Sequence, residues 1–316
     1  MAPTIPLSER PEEGWRLCRQ AMTEIAAGRF PVDEWITRTR QDLDLAESVG
    51  VLAIDGAVTF GVALWNRTSL PARRVSLLYL LPDHRSPRGF REFLRDVIDA
   101  SPRDGPVAFS TGDLLGLDRA EQAAIMEPLG FRQFARTEME FPSGSLIPSI
   151  SLEEDIRLRP VEPTDSRTLA GLHREAYADR FDRYLFMEDP DPGRDSARGM
   201  DKLLRGGWGP FLSEDSFVAE RDGRLVGASL LVLMEGNPLL ADAMVDSAFR
   251  GRRIGAALVT ASLVSLRARS VPALRLNVTE GNARAQRLYR GLGFVPTFTD
   301  VGWYSPRCVP VPPEQE

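Results

Sequence analysis

The chain has few of the residues that hold metals. Only two cysteines and two histidines occur among 316 residues; Cys18 and Cys308 lie near opposite ends, and His84 and His173 fall in unrelated segments. No ligand cluster forms from these, which excludes most metal chemistry, and two isolated thiols suit a reducing compartment. Long apolar runs are missing too. Residues 1–15, MAPTIPLSERPEEGW, carry no signal-peptide core, and no stretch approaches the ~18 uncharged apolar residues of a membrane span. The expectation is a cytoplasmic protein with no membrane partner. Lysine is almost absent: Lys202 stands alone against 38 arginines, a bias of composition to which no function attaches. Basic excess is lacking as well, because 39 basic residues against 45 acidic ones leave a net charge of −6. That argues against a nucleic-acid partner and mildly favours a cationic one.

What is present suffices for two domains. At 43% hydrophobic residues, either half of 316 can bury its own core. Residues 141–152, FPSGSLIPSISL, read as a linker, and the Pro-rich 305–316 as a loosely ordered tail. The halves echo each other. Apolar runs flank Asp55-Gly56 in one and Asp222-Gly223 in the other, a hairpin signal in each. Leu129-Gly130-Phe131 and Leu292-Gly293-Phe294 each end a helical stretch. The spacing from hairpin glycine to terminating glycine is 74 residues in the first half and 70 in the second, which suggests a duplication.

In the second half, periodicity predicts strands at 156–160, 239–245, 274–278 and 298–304. It predicts helices at 166–177, near 196–204, at 254–267 and at 282–291. The α/β class follows, as a mixed, mostly antiparallel sheet flanked by helices. Two stretches carry chemistry. At 244–258, MVDSAFRGRRIGAAL, a strand turns into a helix with Arg250, Arg252 and Arg253 crowding its start. Cations there oppose the helix dipole, by up to about 1 kcal/mol each, unless an anion occupies the turn. Gly251, Gly255 and the small Ala256 would let that anion reach free backbone N–H groups; a solvated basic turn is the plainer alternative. At 282–294, NARAQRLYRGLGF, Asn282 suits an N-cap, and Tyr289 shares an apolar face with Ala285 and Leu288, where a core role would be ordinary.

Together these stretches resemble the GNAT N-acetyltransferase superfamily. Its signature, Arg/Gln-x-x-Gly-x-Gly/Ala, is met from Arg250 to Gly255 except that Arg253 stands where glycine is usual; Asn-x-x-Ala-x-x-Leu-Tyr-x-x-x-Gly-Phe is complete from Asn282 to Phe294. The resemblance implies two tandem GNAT folds: a degenerate one at 1–141, a linker at 142–153 and an active one at 154–304. It also implies acetyl-CoA as cosubstrate. The strand end at Met244 and Val245 would offer backbone groups to the pantetheine arm. The N–H groups of Arg252, Arg253, Ile254, Gly255 and Ala256 would hold the pyrophosphate, Asn282 would contact the cofactor, and Tyr289 would protonate the departing thiolate.

An amine acceptor must lose a proton before it attacks, and Asp242 or Glu235 is placed to take it. The acceptor pocket is expected in 178–215, acidic at Glu188, Asp189 and Asp191 and aromatic at Phe181, Tyr184, Phe186 and Trp208. His84 and His173 read as incidental. Laid on the first half, the template puts Phe90 at the Gly255 position, Met126 at that of Tyr289 and Arg119 at that of Asn282, so cofactor chemistry is expected to be lost there. The reading is thus an N-acetyltransferase acting on a small-molecule primary amine by direct attack, as a monomeric pseudo-dimer of repeats or a homodimer. A non-catalytic acyl-CoA sensor, or an acetyltransferase of proteins or of a mycothiol precursor, are the alternatives.

Overall fold

The computed structural model describes residues 3–26, 31–44, 48–66, 73–100, 107–110, 117–178, 191–234, 236–271 and 273–304. They fall into two compact units. Residues up to 134 join 301–304 in the first, and 135–178 with 191–300 make up the second.

In the first unit, strands β1 (Thr4–Pro6), β2 (Ser48–Asp55), β3 (Val58–Asn66), β4 (Arg73–Leu80) and β5 (Val107–Ser110) lie side by side in that order. Pairing is antiparallel until β4 meets β5 in parallel. Helices α1 (Pro11–Ala26), α2 (Val32–Asp44), α3 (Pro87–Ala100) and α4 (Arg119–Met126) belong to the same unit. Strand β6 (Arg132–Phe141) then runs into the second unit.

The second unit repeats the plan. It consists of β7 (Ile156–Pro160), α5 (Ser166–Tyr177), α6 (Pro192–Leu204), β8 (Phe217–Arg221), β9 (Arg224–Met234), β10 (Asn237–Val245), α7 (Ile254–Ala268), β11 (Leu274–Thr279), α8 (Ala283–Leu292) and most of β12 (Val295–Tyr304). β7 through β11 are neighbours in sequence order, antiparallel until β10 meets β11 in parallel. Asp222 (φ 53°) and Gly223 (φ 74°) are both left-handed between β8 and β9, as the tightest hairpin turn requires. α5 and α6 cover one face of this sheet, where Leu169, Leu172, Met200 and Leu203 meet Leu230 and Met244. α7 and α8 cover the other, where Val259, Leu263, Tyr289 and Leu292 meet Leu231, Leu240 and Leu276.

The units differ from the sequence halves in one respect. Each half sends its last strand to the other unit: residues 136–141 of β6 pair with β11, and 302–304 of β12 pair with β5. Trp303 is thereby buried in the first unit's core and donates from its indole N–H to Gln122 (3.3 Å). Residues 142–153 form no regular element, and Ile147 and Ile150 pack against the second unit's core. Among the described residues no helix is long and apolar enough to cross a membrane, and no group of His, Cys, Asp or Glu could hold a metal.

Gly227 on β9 sets how closely α7 lies on the sheet. A Cβ there would sit 3.0 Å from Leu258 Cδ1 and from the Met244 carbonyl, and 3.1 Å from Ile254 Cγ2. Gly227→Val is expected to overpack this contact, lowering stability by about 1–3 kcal/mol in urea unfolding. An unchanged midpoint would show that α7 tolerates a larger separation.

Candidate functional site

Strand β10 carries both parts of the site. Its parallel ladder to β11 holds only at Leu239↔Arg275 and Leu240↔Leu276, and a bulge interrupts its pairing with β9 between Leu240 and Asp242. From Ala241 to Val245 the edge that faced β11 therefore has no strand partner among the described residues, which leaves backbone there for an extended ligand. The side chains of Met244 and Val245 are occupied elsewhere, Met244 in the α5–α6 core and Val245 in the cluster around Ile254 and Leu258, so their backbone is what they can offer.

Past Val245 the chain is shaped by Asp246. This buried carboxylate accepts from the Ala248 N–H (2.9 Å) and pairs with Arg224, folding a single helical turn at Ser247–Phe249. Arg250 folds its Nε back to the Val245 carbonyl, and Arg252 pairs with Glu153 (3.0 Å) across the face of Phe249. Gly251 (φ 85°) and Arg253 (φ 62°) both take left-handed backbone. Arg253 is the N-cap of α7 and supplies no side-chain cap, so the N–H groups of Ile254, Gly255 and Ala256 have no partner among the described residues. A missing cap forgoes about 1 kcal/mol, and a non-glycine residue in the left-handed region costs on the order of 1 kcal/mol or more. Three free N–H groups at a dipole's positive end, with the exposed guanidinium of Arg253 beside them, suit a phosphate. A side chain at Gly255 would project towards Val245 and Leu288, 3.5 Å from each. The donor set fits a pyrophosphate at the turn and an amide-bearing arm along β10, and so fits acetyl-CoA.

Asn282 caps α8, its Oδ1 accepting from the Ala285 N–H (3.2 Å). Tyr289 is buried in the α7–α8 core, its ring 5.7 Å from that of Phe294. After it, left-handed Gly293 turns the chain so that the Phe294 N–H reaches the Tyr289 carbonyl at 3.0 Å. The first unit makes the same turn: Gly130 is left-handed and the Phe131 N–H reaches the Met126 carbonyl at 3.0 Å. Met126 thus occupies the place of Tyr289. The other two expected correspondences shift. Asp118, not Arg119, is the N-cap matching Asn282, because α4 is prolonged by a turn at Glu127–Leu129. Phe90 does not fill the first unit's turn but is buried in its core; the connection from β4 to α3 is shorter than that from β10 to α7, and counted from the helix start it is Arg88 that matches Gly255.

Asp242 is buried on the α5–α6 face of the sheet, its side chain 4% exposed. Tyr177 donates from its hydroxyl to Oδ1 at 2.9 Å, and His173 Nε2 lies 3.7 Å from Oδ2. The His173 ring stacks on Tyr177 (4.6 Å), and its Nδ1 is 2.9 Å from Ser196 Oγ on α6. His173 is therefore not incidental. Its four-residue spacing from Tyr177 on one helix was the available signal. Glu235 and residues 179–190, with Phe181, Tyr184, Phe186, Glu188 and Asp189, lie outside the described residues. The remaining two expected pocket residues have structural roles. Asp191 caps α6 by accepting from the Arg194 N–H (2.8 Å), and Trp208 packs half-buried on the α5–α6 core.

Residues 178–294 match the acetyltransferase (GNAT) family model. A mycothiol acetyltransferase of Acidothermus cellulolyticus is 28% identical over 242 residues, 71% of this chain and 69% of its own. Two solved structures share the fold along 96% of this chain. One is a GCN5-related N-acetyltransferase from Sphaerobacter thermophilus (TM-score 0.65, 20% identity, 96% of that chain). The other is a tandem GNAT protein from the clavulanic acid biosynthesis pathway (TM-score 0.58, 16% identity, 98% of that chain). The open turn before α7 and the broken ladder of β10 both lie within residues 178–294, the stretch that carries the match to the acetyltransferase (GNAT) family model.

Proposed function

We propose that the protein transfers the acetyl group of acetyl-CoA to the primary amine of a small molecule by direct attack, and that the second unit alone performs the transfer. The uncapped start of α7 beside the unpaired edge of β10 carries this reading. Bound acetyl-CoA supplies the activated thioester. The N–H groups of Ile254, Gly255 and Ala256, with those of Arg252 and Arg253, hold its pyrophosphate, and the backbone of Met244 and Val245 aligns its arm. Asn282 borders the same site from α8.

An ammonium has no lone pair, so the acceptor first gives a proton to a carboxylate. Asp242 takes this role in preference to Glu235, because its partners fix it at the break in the ladder. The amine nitrogen then bonds to the thioester carbon, the C–S bond breaks, Tyr289 gives its phenolic proton to the departing sulfur, and the second proton that the nitrogen sheds on becoming an amide restores the phenol. Asp242 stands on one face of the sheet and Tyr289 in the core of the other, and the ladder between β10 and β11 ends at Leu240↔Leu276.

Among its described residues the first unit shows no comparable turn. Its α3 is capped, with Ser86 Oγ accepting from the Gly89 N–H (3.0 Å), and Arg85 folds back to the Leu80 carbonyl and Glu24. Met126 has no proton to donate. The names of the relatives make a mycothiol precursor, a cysteinyl sugar amine, the first acceptor to try. Polyamines, aminoglycosides and amino acids complete a screen that follows release of the CoA thiol. Release with one amine class supports the reading, whereas acetyl-CoA binding without release for any amine would point to a sensor.

Two substitutions test the assignments. Tyr289→Phe should lower kcat about 100-fold or more and leave the calorimetric Kd for acetyl-CoA unchanged; full turnover would remove Tyr289 as the acid. Arg253→Gly should raise stability by about 1 kcal/mol by relieving left-handed backbone, and weaken acetyl-CoA binding several-fold. Unaltered or tighter binding would mean that the guanidinium makes no contact with phosphate.

A further inference from the structure

Between α5 and α6 a polar chain runs through an apolar contact. Leu169, Leu172, Met200 and Leu203 are each at most 5% exposed there, yet Ser196 at 3% and the His173 ring lie among them. Buried polar groups are costly unless satisfied, and leucine would pack such a helix pair more stably. The chain does not end in the helix contact. It leads from Ser196 through both nitrogens of His173 to the Asp242 carboxylate.

Each link constrains the next. A neutral imidazole has one N–H and one lone pair, and the partner of one nitrogen sets the state of the other. If the Ser196 hydroxyl donates to Nδ1, the N–H is left on Nε2 and points at Asp242 Oδ2. The 3.7 Å separation is longer than a hydrogen bond. Tyr177 already donates to Oδ1, so each carboxylate oxygen has a neighbour that fixes its orientation. The opposite tautomer would turn a lone pair toward the carboxylate and repel it.

We infer that His173 is a positioning residue for acetyl transfer: with its tautomer fixed by Ser196, it holds the Asp242 carboxylate in place and aimed at the acceptor amine. The inference rests on the reading of Asp242 as base. Tyr177 belongs to the same assembly, as the stacking partner of His173 and the donor to the other oxygen.

The chain contains only two histidines, so its imidazole spectrum is simple. In alkaline buffer, a nitrogen–proton correlation spectrum of the labelled full-length protein, assigned with His84→Gln, should show His173 mainly as the Nε2–H tautomer. Ser196→Ala should shift the population toward Nδ1–H. A predominant Nδ1–H form in the unmodified protein, or no response to Ser196→Ala, would overturn the inference without reference to any acceptor. With the amine found by the screen, His173→Gln should lower kcat about tenfold at unchanged KM for acetyl-CoA. The same substitution should have no further effect in an Asp242→Asn background. Equal losses in both backgrounds would overturn the inference alone. Full turnover by Asp242→Asn would overturn the base assignment and the inference with it. If His173→Gln fails to fold, Ser196→Ala is carried through the same cycle.

Discussion

The parallel ladder between β10 and β11 stops after two residue pairs, and the site is arranged around that stop. Backbone N–H and C=O groups need partners, so an interrupted ladder inside a sheet is a demand for something else to bind. The bulge at Leu240/Asp242 comes at the same point and places Asp242 on the face covered by α5 and α6. Two residues farther along, Met244 and Val245 anchor opposite cores and keep the open edge rigid. The free start of α7 lies directly beyond it.

Costs accumulate at that start. A capless helix and an arginine in left-handed backbone each sacrifice on the order of 1 kcal/mol. The other helix starts near the two family-like turns make no such sacrifice: Ser86, Asp118 and Asn282 each cap their own helix. A protein with the same strand order in both units thus leaves the start of α7 without a side-chain cap, an arrangement that suits a ligand with phosphate oxygens. Among the described residues of the first unit, a serine closes the turn and a methionine stands in place of the tyrosine.

Much of this was legible in the sequence. Periodicity gave α5 and β7 with their observed bounds, and glycines and arginines at a strand-to-helix turn marked the start of α7 as a candidate site. Three features were not legible, each because it depends on contacts between distant residues. The exchange of last strands needs β6 to find β11 and β12 to find β5, and local pattern does not encode partners. Phe90 was misplaced because matching by the turn's arginine ignores a turn of different length. His173 lies on the polar side of α5 when that helix is viewed alone, and only the packing of α6 encloses it with Ser196.

The claim that one unit carries the chemistry is tested most directly by the stoichiometry of acetyl-CoA binding to the full chain, by titration calorimetry before and after Gly255→Trp. One acetyl-CoA per chain, with no binding left once the indole fills the space between Val245 and Leu288, is the result expected. Two equivalents, or one that survives Gly255→Trp, would place a cofactor site elsewhere and contradict it.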